Sequence, residues 1–156
     1  VEQLSKMIQE ASALALVGAR ELGIAVRFSL RADAETVVAD RVQIQQVLVN
    51  LLRNSVEAMQ SSPRRELLIS SEPLNDGLIR ISVSDTGAGI ADDVMRKLFQ
   101  PFVTTKASGM GVGLSISRSI VEAHGGSMWA ESTFEKGATF FFTLPAATKE
   151  DAAYVG

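Results

Sequence analysis

Residues 40–60 read DRVQIQQVLVNLLRNSVEAMQ, the longest regular pattern in the chain. Asp40 and Gln43 have the spacing of a capping box, in which the first side chain accepts a hydrogen bond from a backbone N–H of the first helical turn. The apolar residues that follow recur every three or four positions, as on one buried helical face: Val42, Ile44, Val47, Leu48, Leu51, Leu52, Val56 and Met59. This pattern predicts a long helix that ends at about Gln60.

Helices and strands are predicted on both sides of this central helix. Before it, apolar spacing predicts an amphipathic helix over residues 2–22, closed by Gly23, and alternating patterns predict a paired ribbon from residues 24–30 and 36–39. After it, Pro63 stops the helix. The later patterns predict two strands, a third helix and a closing hairpin, over residues 66–71, 78–84, 114–123, 127–133 and 138–144.

The predicted elements do not follow a regular strand–helix–strand repeat, which favours an α+β two-layer sandwich. We expect a mixed, mostly antiparallel five-stranded sheet covered on one face by three helices. Residues 1–145 are expected to form this single domain, and residues 146–156 a flexible tail. A chain of 156 residues buries enough surface to fold without disulfide bonds or a structural metal.

The composition excludes several classes of function. With 0 cysteines, the chain has no disulfide framework, thiolate metal site or cysteine nucleophile. Its formal net charge of −3 gives no basic field for non-specific contact with nucleic acid or an anionic membrane. The longest apolar stretch is far shorter than a transmembrane helix, and the first residue, Val1, indicates a piece excised from a longer protein.

The central helix also carries a polar stripe. Asn50, Asn54 and Glu57 lie at positions i, i+4 and i+7, so they share one face of an otherwise apolar helix. An amide oxygen, phosphate oxygens and waters together form a suitable shell for a hard cation such as Mg²⁺. The helix alone also permits the simpler interpretation that Asn50 and Asn54 face solvent and have no function.

A turn that could shape a ligand pocket follows one of the predicted strands. The strand ends in Asp85, and Gly87 and Gly89 allow the chain to turn sharply against a ligand. A carboxylate held there can accept a hydrogen bond from an exocyclic amine. A turn in which Asp85 caps the next segment is an equal alternative.

A second glycine-rich segment, Gly109-Met-Gly-Val-Gly113, leads into the third predicted helix after Lys106. Backbone amides, the positive end of a helix and one lysine charge can together hold a phosphate. The spacing matches neither the dinucleotide fingerprint nor the Walker pattern. A flexible linker remains the alternative.

Other residues of chemical interest favour structural roles. His124 is the only histidine and follows the third predicted helix, where capping or packing is expected rather than catalysis or phosphorylation. Trp129 and the phenylalanines at 140–142 lie in predicted strands, and we expect them in the core rather than in a stacking platform.

Four motifs occur in one order: Asn50-Leu-Leu-Arg-Asn54, Asp85-Thr-Gly-Ala-Gly89, Phe99-Gln-Pro-Phe102 with Thr104-Thr105-Lys106, and Gly109-Met-Gly-Val-Gly113. The set resembles the N, G1, F and G2 boxes of the catalytic and ATP-binding domain of bacterial sensor histidine kinases, in the GHKL superfamily shared with DNA gyrase. Residues 53–59 are similar to the nitrogen-regulation and oxygen-sensing subgroup that is often linked to PAS sensors. The resemblance covers nearly the whole chain and implies a sandwich that holds ATP between helices and sheet under a lid.

The resemblance implies a role for each matching residue. Asn54 would bind Mg²⁺ and Asn50 would lie close to the phosphates, and with Lys106 these are the expected catalytic residues. Asp85 would accept a hydrogen bond from the adenine amino group. The full set expected at ATP comprises Arg53, Asn54, Glu57, Asp85, Gly87, Gly89, Ile90, Thr104, Thr105, Lys106, Gly109, Gly111, Val112, Gly113, Leu114 and Thr139.

The expected activity is transfer of the γ-phosphoryl group of MgATP to a histidine. The ATP hydrolases of the superfamily carry a glutamate where Asn50 stands, and an amide cannot act as a general base at neutral pH, so slow hydrolysis at most is expected. The acceptor histidine would belong to a dimerisation domain absent from this chain. The chain itself is expected to be a monomeric, cytoplasmic domain that acts indirectly on a response regulator.

Two other functions stay open at this point. One is a GHKL serine kinase of the anti-sigma type, although such kinases usually carry an acid where Asn50 stands. The other is a nucleotide-sensing interaction module that transfers no phosphate.

Overall fold

A computed structural model of the chain describes residues 1–99, 110–133 and 136–148. The predicted central helix and the four predicted strands that follow it are confirmed to within a few residues. The elements, in chain order, are β1 (Glu2–Gln3), α1 (Leu4–Ala15), β2 (Ala25–Leu30), a 3₁₀ turn (Ala32–Ala34), β3 (Thr36–Val37), α2 (Arg41–Ala58), β4 (Glu66–Pro73), β5 (Leu78–Asp85), α3 (Asp92–Met95), α4 (Met110–Ala123), β6 (Met128–Thr133) and β7 (Gly137–Pro145).

The main sheet has five strands in the order β2-β4-β5-β7-β6. Strands β2 and β4 are parallel, and every other pair is antiparallel, so the predicted mixed, mostly antiparallel α+β sheet is confirmed. Side chains of a strand alternate between the two faces of its sheet. In the central strand β5, Ile79, Ile81, Val83 and Asp85 are buried, and the residues between them are half-buried. One face of the sheet therefore carries the core.

Helix α2 is the centre of the helical layer. It packs against α1 on one side, α4 on the other, and strand β5 beneath. The expected cap is present, because Asp40 Oδ1 accepts a hydrogen bond from Gln43 N at 3.2 Å. Its buried residues are Ile44, Val47, Leu48, Leu51, Leu52, Asn54 and Ser55. Asn54 among them belongs to the predicted polar stripe, so part of that stripe is turned inward.

The prediction of a first helix over residues 2–22 is wrong, because α1 is shorter at both ends. Its start is fixed by Glu35, whose backbone oxygen accepts from Leu4 N at 2.6 Å and whose Oε1 accepts from Ser5 N at 3.2 Å. After Ala15 the chain continues in turns, and Val17 is 82% exposed although Ala19 returns to the core. Gly23 therefore does not close α1.

The predicted ribbon of residues 24–30 and 36–39 is also wrong. Strand β2 pairs in parallel with β4, and β3 pairs with β1. Strand β3 is also bonded to the segment that follows β7, since Ala147 N donates to Thr36 O at 3.0 Å. Residues 146 and 147 of the expected tail are thus held by backbone hydrogen bonds, and residues 149–156 lie outside the described residues.

The third helix begins earlier than predicted, at Met110, and the short helix α3 was not predicted. His124 has the structural role that its position favoured. Its Nδ1 lies 2.8 Å from Ile120 O, and its Nε2 accepts a hydrogen bond from Asp40 N at 3.0 Å. No helix in the described part of the chain is long and apolar enough to cross a membrane.

The aromatic residues of the last two strands divide between the two faces of the sheet. Phe140 and Phe142 are buried, as expected. Phe141 and Trp129 are only half-buried and stack on each other at 5.2 Å between ring centroids, with Arg80 over the Phe141 ring. The expectation that all of them belong to the core is wrong for these two, because strand alternation turns them to the outer face.

A polar network joins α1 to α2. Arg41 forms ion pairs with Glu10 and, at 3.4 Å, with Glu2. Gln45 Nε2 donates to the second carboxylate oxygen of Glu10 at 2.8 Å. The hydrogen bond from Arg41, followed by that from Gln45, lowers the pKa of Glu10 below its ordinary value.

Replacing the Glu10 carboxylate should make the free energy of unfolding less dependent on pH. The folded pKa of Glu10 is depressed, so its contribution is fully present above the unfolded pKa and is lost as the pH falls through the folded pKa. We expect Glu10→Gln to lower the free energy of unfolding at neutral pH, with a deficit that shrinks on acidification. Urea unfolding at a series of pH values measures this.

The control is Asp33→Asn, which removes an exposed ion pair with Arg31 inside a single turn. It should change stability less at neutral pH, because it joins no two elements. A deficit of Glu10→Gln that stays constant on acidification would contradict the role of the ionised carboxylate.

Candidate functional site

The candidate site is a cavity of about 380 Å³ between the C-terminal half of α2, the end of β5 and helix α3. Its walls are mostly apolar, and its polar groups are few. Its lining residues are Asn54, Glu57, Ala58, Ser61, Asp85, Ala88, Gly89, Ile90, Ala91, Val94, Leu98, Ala138 and Phe140. A cavity of this size with a few convergent polar groups is typical of a small-molecule site.

Asp85 is the acidic group in the deepest position. It is the last residue of β5 and only 5% exposed, because strand alternation places it on the same inward face as Val83. Its Oδ1 accepts a hydrogen bond from Gly87 N at 2.9 Å. A buried carboxylate surrounded by apolar walls is suited to accept a hydrogen bond from an amine of a bound ring.

The turn after Asp85 is packed directly on the end of α2. A Cβ on Gly87 would lie 2.5 Å from Ala58 O, closer than a real Cβ can approach. Ala88 N also faces Ala58 O, at 3.4 Å. Gly89 has φ = +77°, a left-handed conformation that favours glycine. Both predicted glycines are thus needed to form one wall of the cavity.

Asn54 is the second polar group of the cavity and only 6% exposed. Within the described residues its Nδ2 has no hydrogen-bond partner. A buried amide without a partner costs about 1–3 kcal/mol, so a ligand that supplies an acceptor would be favoured there. Glu57, one helical turn further on, lines the same cavity and is half-buried.

These residues fit a nucleotide with Mg²⁺. The orphaned Nδ2 of Asn54 suits a phosphate oxygen or a bound water, and the oxygen of the same amide is a hard ligand of the kind Mg²⁺ prefers. Among the described residues no group of three or more His, Cys, Asp or Glu side chains could hold a metal by itself. Phosphate oxygens and waters would complete the shell.

Asn50 does not line the cavity. It is half-buried and faces α4, where its Nδ2 donates to Ser117 Oγ at 3.1 Å. A Cβ on Gly113 would lie 2.5 Å from Asn50 Oδ1, so the amide is packed against the first turn of α4. Asn50 therefore adjoins the end of the predicted phosphate-binding segment, one turn of α2 away from Asn54.

Three residues that were expected at ATP do not line this cavity. Arg53 is exposed and lines a groove between α1 and α2. Leu114 is fully buried and belongs to the core. Thr139 lies on the outer face of the sheet, with Oγ1 2.8 Å from Ser84 Oγ. Its neighbour Ala138, which pairs with Asp85, is the residue of β7 that lines the cavity beside Phe140.

Of the remaining residues expected at ATP, some belong to the described part of the chain and some do not. Ile90 lines the cavity, and its N–H donates to Ser132 Oγ at 2.7 Å, which ties the turn to β6. Gly111 and Val112 lie in the first turn of α4. Thr104, Thr105, Lys106 and Gly109 lie outside the described residues, so their expected contacts with phosphate stay predictions.

Sequence reasoning missed most of the cavity wall, namely Ala58, Ser61, Ala88, Ala91, Val94, Leu98, Ala138 and Phe140. A signal existed for two of them, because Ala58 and Ser61 lie four and seven positions after Asn54 and continue its helical face. The residues at 91–98 gave no such signal, since helix α3 is a single turn within a long connection.

Comparison with known proteins gives consistent matches. The model of the family described as histidine kinase-, DNA gyrase B-, and HSP90-like ATPase matches residues 39–148. The sensor protein FixL of Bradyrhizobium diazoefficiens is 65% identical over 147 residues, which are 94% of this chain and 29% of FixL. The chain thus spans less than a third of that relative.

Solved structures are similar over the whole domain. The nucleotide-free catalytic domain of the histidine kinase ThkA has a TM-score of 0.80 and 37% identity, covering 92% of this chain and 93% of that chain. Full-length ShkA in complex with AMPPNP also has a TM-score of 0.80, at 30% identity, covering 92% of this chain and 30% of that chain.

A methyl group at Gly87 should damage the cavity. Because its Cβ would meet Ala58 O at 2.5 Å, Gly87→Ala must push the turn away from α2. We expect ATP affinity to fall about tenfold, within the roughly 1–3 kcal/mol typical of overpacking. Isothermal titration calorimetry at a temperature where the variant is folded measures the affinity.

The matched control is Gly125→Ala. This glycine has φ = +83° and open space around its Cβ, so the substitution strains the backbone without touching the cavity. It should lower the melting temperature and leave ATP affinity unchanged. An equal loss of affinity in both variants would mean that general destabilisation, not the shape of the cavity wall, is responsible.

Proposed function

Because the chain belongs to the family of histidine kinase-, DNA gyrase B- and HSP90-like ATPases, as a catalytic domain of the sensor histidine kinase type, we propose that it binds MgATP and donates the γ-phosphoryl group to a histidine. The observation that carries the proposal is the pairing, in one cavity, of the buried Asp85 carboxylate with the buried Asn54 amide, whose Nδ2 has no partner in the described part of the chain.

Asp85 recognises the base in this proposal. Its carboxylate is an acceptor only, so it favours a ring that offers an amino group, such as adenine, over one that offers a carbonyl oxygen there. The apolar walls around it, including Ile90, Val94 and Phe140, suit the two faces of a flat ring. Burial of the carboxylate strengthens the discrimination, because a ring that offered a carbonyl oxygen there would set one desolvated acceptor against another.

Asn54 marks the phosphate end of the site. Mg²⁺ held through its oxygen would neutralise charge on the phosphates, which is the chemistry that the metal supplies in phosphoryl transfer. In a chain of net charge −3 an anion must be held by such local groups rather than by a general field. Lys106 and the glycines at 109, 111 and 113 are proposed to hold the same phosphates.

The transfer itself needs little from the protein beyond position and charge. The lone pair of a neutral imidazole nitrogen on the acceptor forms the new P–N bond. The bond from the γ-phosphorus to its bridging oxygen breaks, and ADP leaves with that electron pair. The other imidazole nitrogen then releases its proton to solvent. No side chain of this chain has to change its covalent state.

Asn50 favours transfer over hydrolysis. Its amide faces α4 and cannot remove a proton from water at neutral pH, so a water molecule near the γ-phosphate would lack a base there. We therefore propose slow hydrolysis at most. The acceptor histidine is proposed to lie on a dimerisation domain outside this chain, in a cytoplasmic two-component system whose later partner is a response regulator.

Removal of the base-recognising carboxylate should weaken nucleotide binding. We expect Asp85→Ala to lose roughly 1.5–3 kcal/mol of ATP binding, the scale of a hydrogen bond to a charged group. Calorimetric titration with ATP measures this. Asp76→Ala, at an exposed turn before the opposite end of β5, is the control and should bind normally. Unchanged affinity in Asp85→Ala would contradict the assignment.

The proposed role of Asn54 is tested by comparing ATP binding with and without Mg²⁺. Asn54→Ala should weaken ATP binding more in the presence of Mg²⁺ than in its absence. The fold should stay stable, because the substitution removes a buried Nδ2 that has no partner among the described residues. The control Gln46→Ala removes an exposed amide from the same helix and should have no effect. Equal losses with and without Mg²⁺ would exclude Asn54 from the metal shell.

The proposed activity is tested by mixing the chain with γ-³²P-labelled ATP, Mg²⁺ and a separately expressed, histidine-bearing dimerisation domain of a sensor kinase. We expect acid-labile, base-stable label on that domain and none when its histidine is replaced by alanine. Label that is acid-stable would indicate a serine kinase. ATP binding without any labelling would indicate a nucleotide-sensing module.

A further inference from the structure

Helix α4 holds both ends of the Asn50 side-chain amide. At one end, Nδ2 donates to Ser117 Oγ at 3.1 Å. At the other end, Oδ1 is packed against Gly113, where a Cβ would lie only 2.5 Å away. Gly113 and Ser117 are four residues apart and therefore share one face of α4. The amide is enclosed by that face.

Ser117 is placed to act on Asn50. It is only 3% exposed, although it is a polar residue in the middle of a helix that packs on α2. Its hydroxyl meets the Asn50 amide across the interface between the two helices. An alanine would fill the same space without the hydroxyl, so packing alone does not require serine.

The orientation of an amide matters for chemistry. Rotation of an asparagine about its last torsion exchanges an acceptor for a donor at the same place, and these two suit opposite substrate atoms. In the structure the N–H₂ group donates to Ser117 Oγ, and the oxygen lies on the side of Gly113. Asn50 thus keeps one orientation towards the glycine-rich start of α4.

The position of α4 is itself fixed at its other end. The His124 side chain follows the last turn of α4, and its Nε2 accepts a hydrogen bond from Asp40 N, the cap of α2. Helix α4 is therefore bonded to α2 at two points, just after its last turn through His124 and in its middle through Ser117. A displacement of the first turn of α4 would be passed directly to Asn50.

We propose that Ser117 is a positioning residue for phosphoryl transfer, which fixes the amide orientation of Asn50 from across the α2–α4 interface. This inference rests on the proposed function, because it assigns Ser117 to the transfer step through Asn50. Ser117 needs no contact with ATP itself, and its contribution belongs to the rate of transfer rather than to nucleotide affinity.

The test compares Ser117→Ala with Ser119→Ala. Ser119 lies on the exposed side of α4 and donates to Ser115 O within its own helix, so its loss should leave transfer unchanged. For Ser117→Ala we expect the rate of phosphate transfer to the dimerisation domain to fall about fivefold, the worth of one neutral hydrogen bond. The KM for ATP should stay within about twofold, because binding is not its role.

A double substitution distinguishes positioning from packing. In an Asn50→Ala background, Ser117→Ala should cause no further loss of rate, since the residue through which it acts is gone. A similar further loss in that background would overturn the proposal, as would wild-type rates in Ser117→Ala alone. Thermal unfolding of each variant shows that the compared proteins are folded.

A spectroscopic measurement keeps this inference separate from the proposed function. In ¹⁵N-labelled protein, the side-chain NH₂ protons of Asn50 should exchange with solvent measurably faster in Ser117→Ala than in the wild type and in Ser119→Ala. Unchanged exchange would overturn the fixed orientation. If wild-type protein transferred no phosphate while exchange behaved as expected, the proposed function would fail and the fixed amide would stand.

Discussion

The close approach of Gly87 to the carbonyl oxygen of Ala58 is the constraint on which the site depends. It brings the turn after β5 against the end of α2, and the cavity is the space that this contact encloses with α3 and β7. The contact is possible because Gly87 has no side chain and because the apolar face of α2 is buried above β5. A larger residue at Gly87, or a change in the apolar face of α2, would alter the distance between Asp85 and Asn54. The set of ligands that the cavity can hold would then change as well.

Helix α2 contributes both to the hydrophobic core and to the candidate site. Its apolar face fixes its rotation about its own axis, and this rotation turns Asn54 and Glu57 into the cavity and Asn50 towards α4. The polar stripe is therefore positioned by the hydrophobic core rather than by bonds among its own members. That arrangement places the Asn54 amide and the buried Asp85 carboxylate in one cavity, while the Asn50 amide lies against α4.

The sequence was sufficient wherever a local pattern determines the structure. The periodicity of residues 40–60 predicted α2, the order of four motifs predicted the family, and the acid at the end of β5 predicted the deepest polar group of the cavity. The sequence was insufficient where the structure depends on contacts between segments that are distant in the chain. No local pattern shows that β2 pairs with β4, that Glu35 fixes the start of α1, or that Ala138 rather than Thr139 faces Asp85. Strand register decides the last point, and a shift of one residue reverses the face.

The central claim is that the cavity between α2 and β5 is a MgATP site in a chain that does not consume ATP by itself. Its most direct test is a calorimetric titration of the purified chain with ATP, with and without Mg²⁺, while the ATP concentration is monitored. We predict binding that Mg²⁺ strengthens, with no appreciable loss of nucleotide during the titration. Absence of binding in both conditions, or rapid turnover of the bound ATP, would contradict the claim.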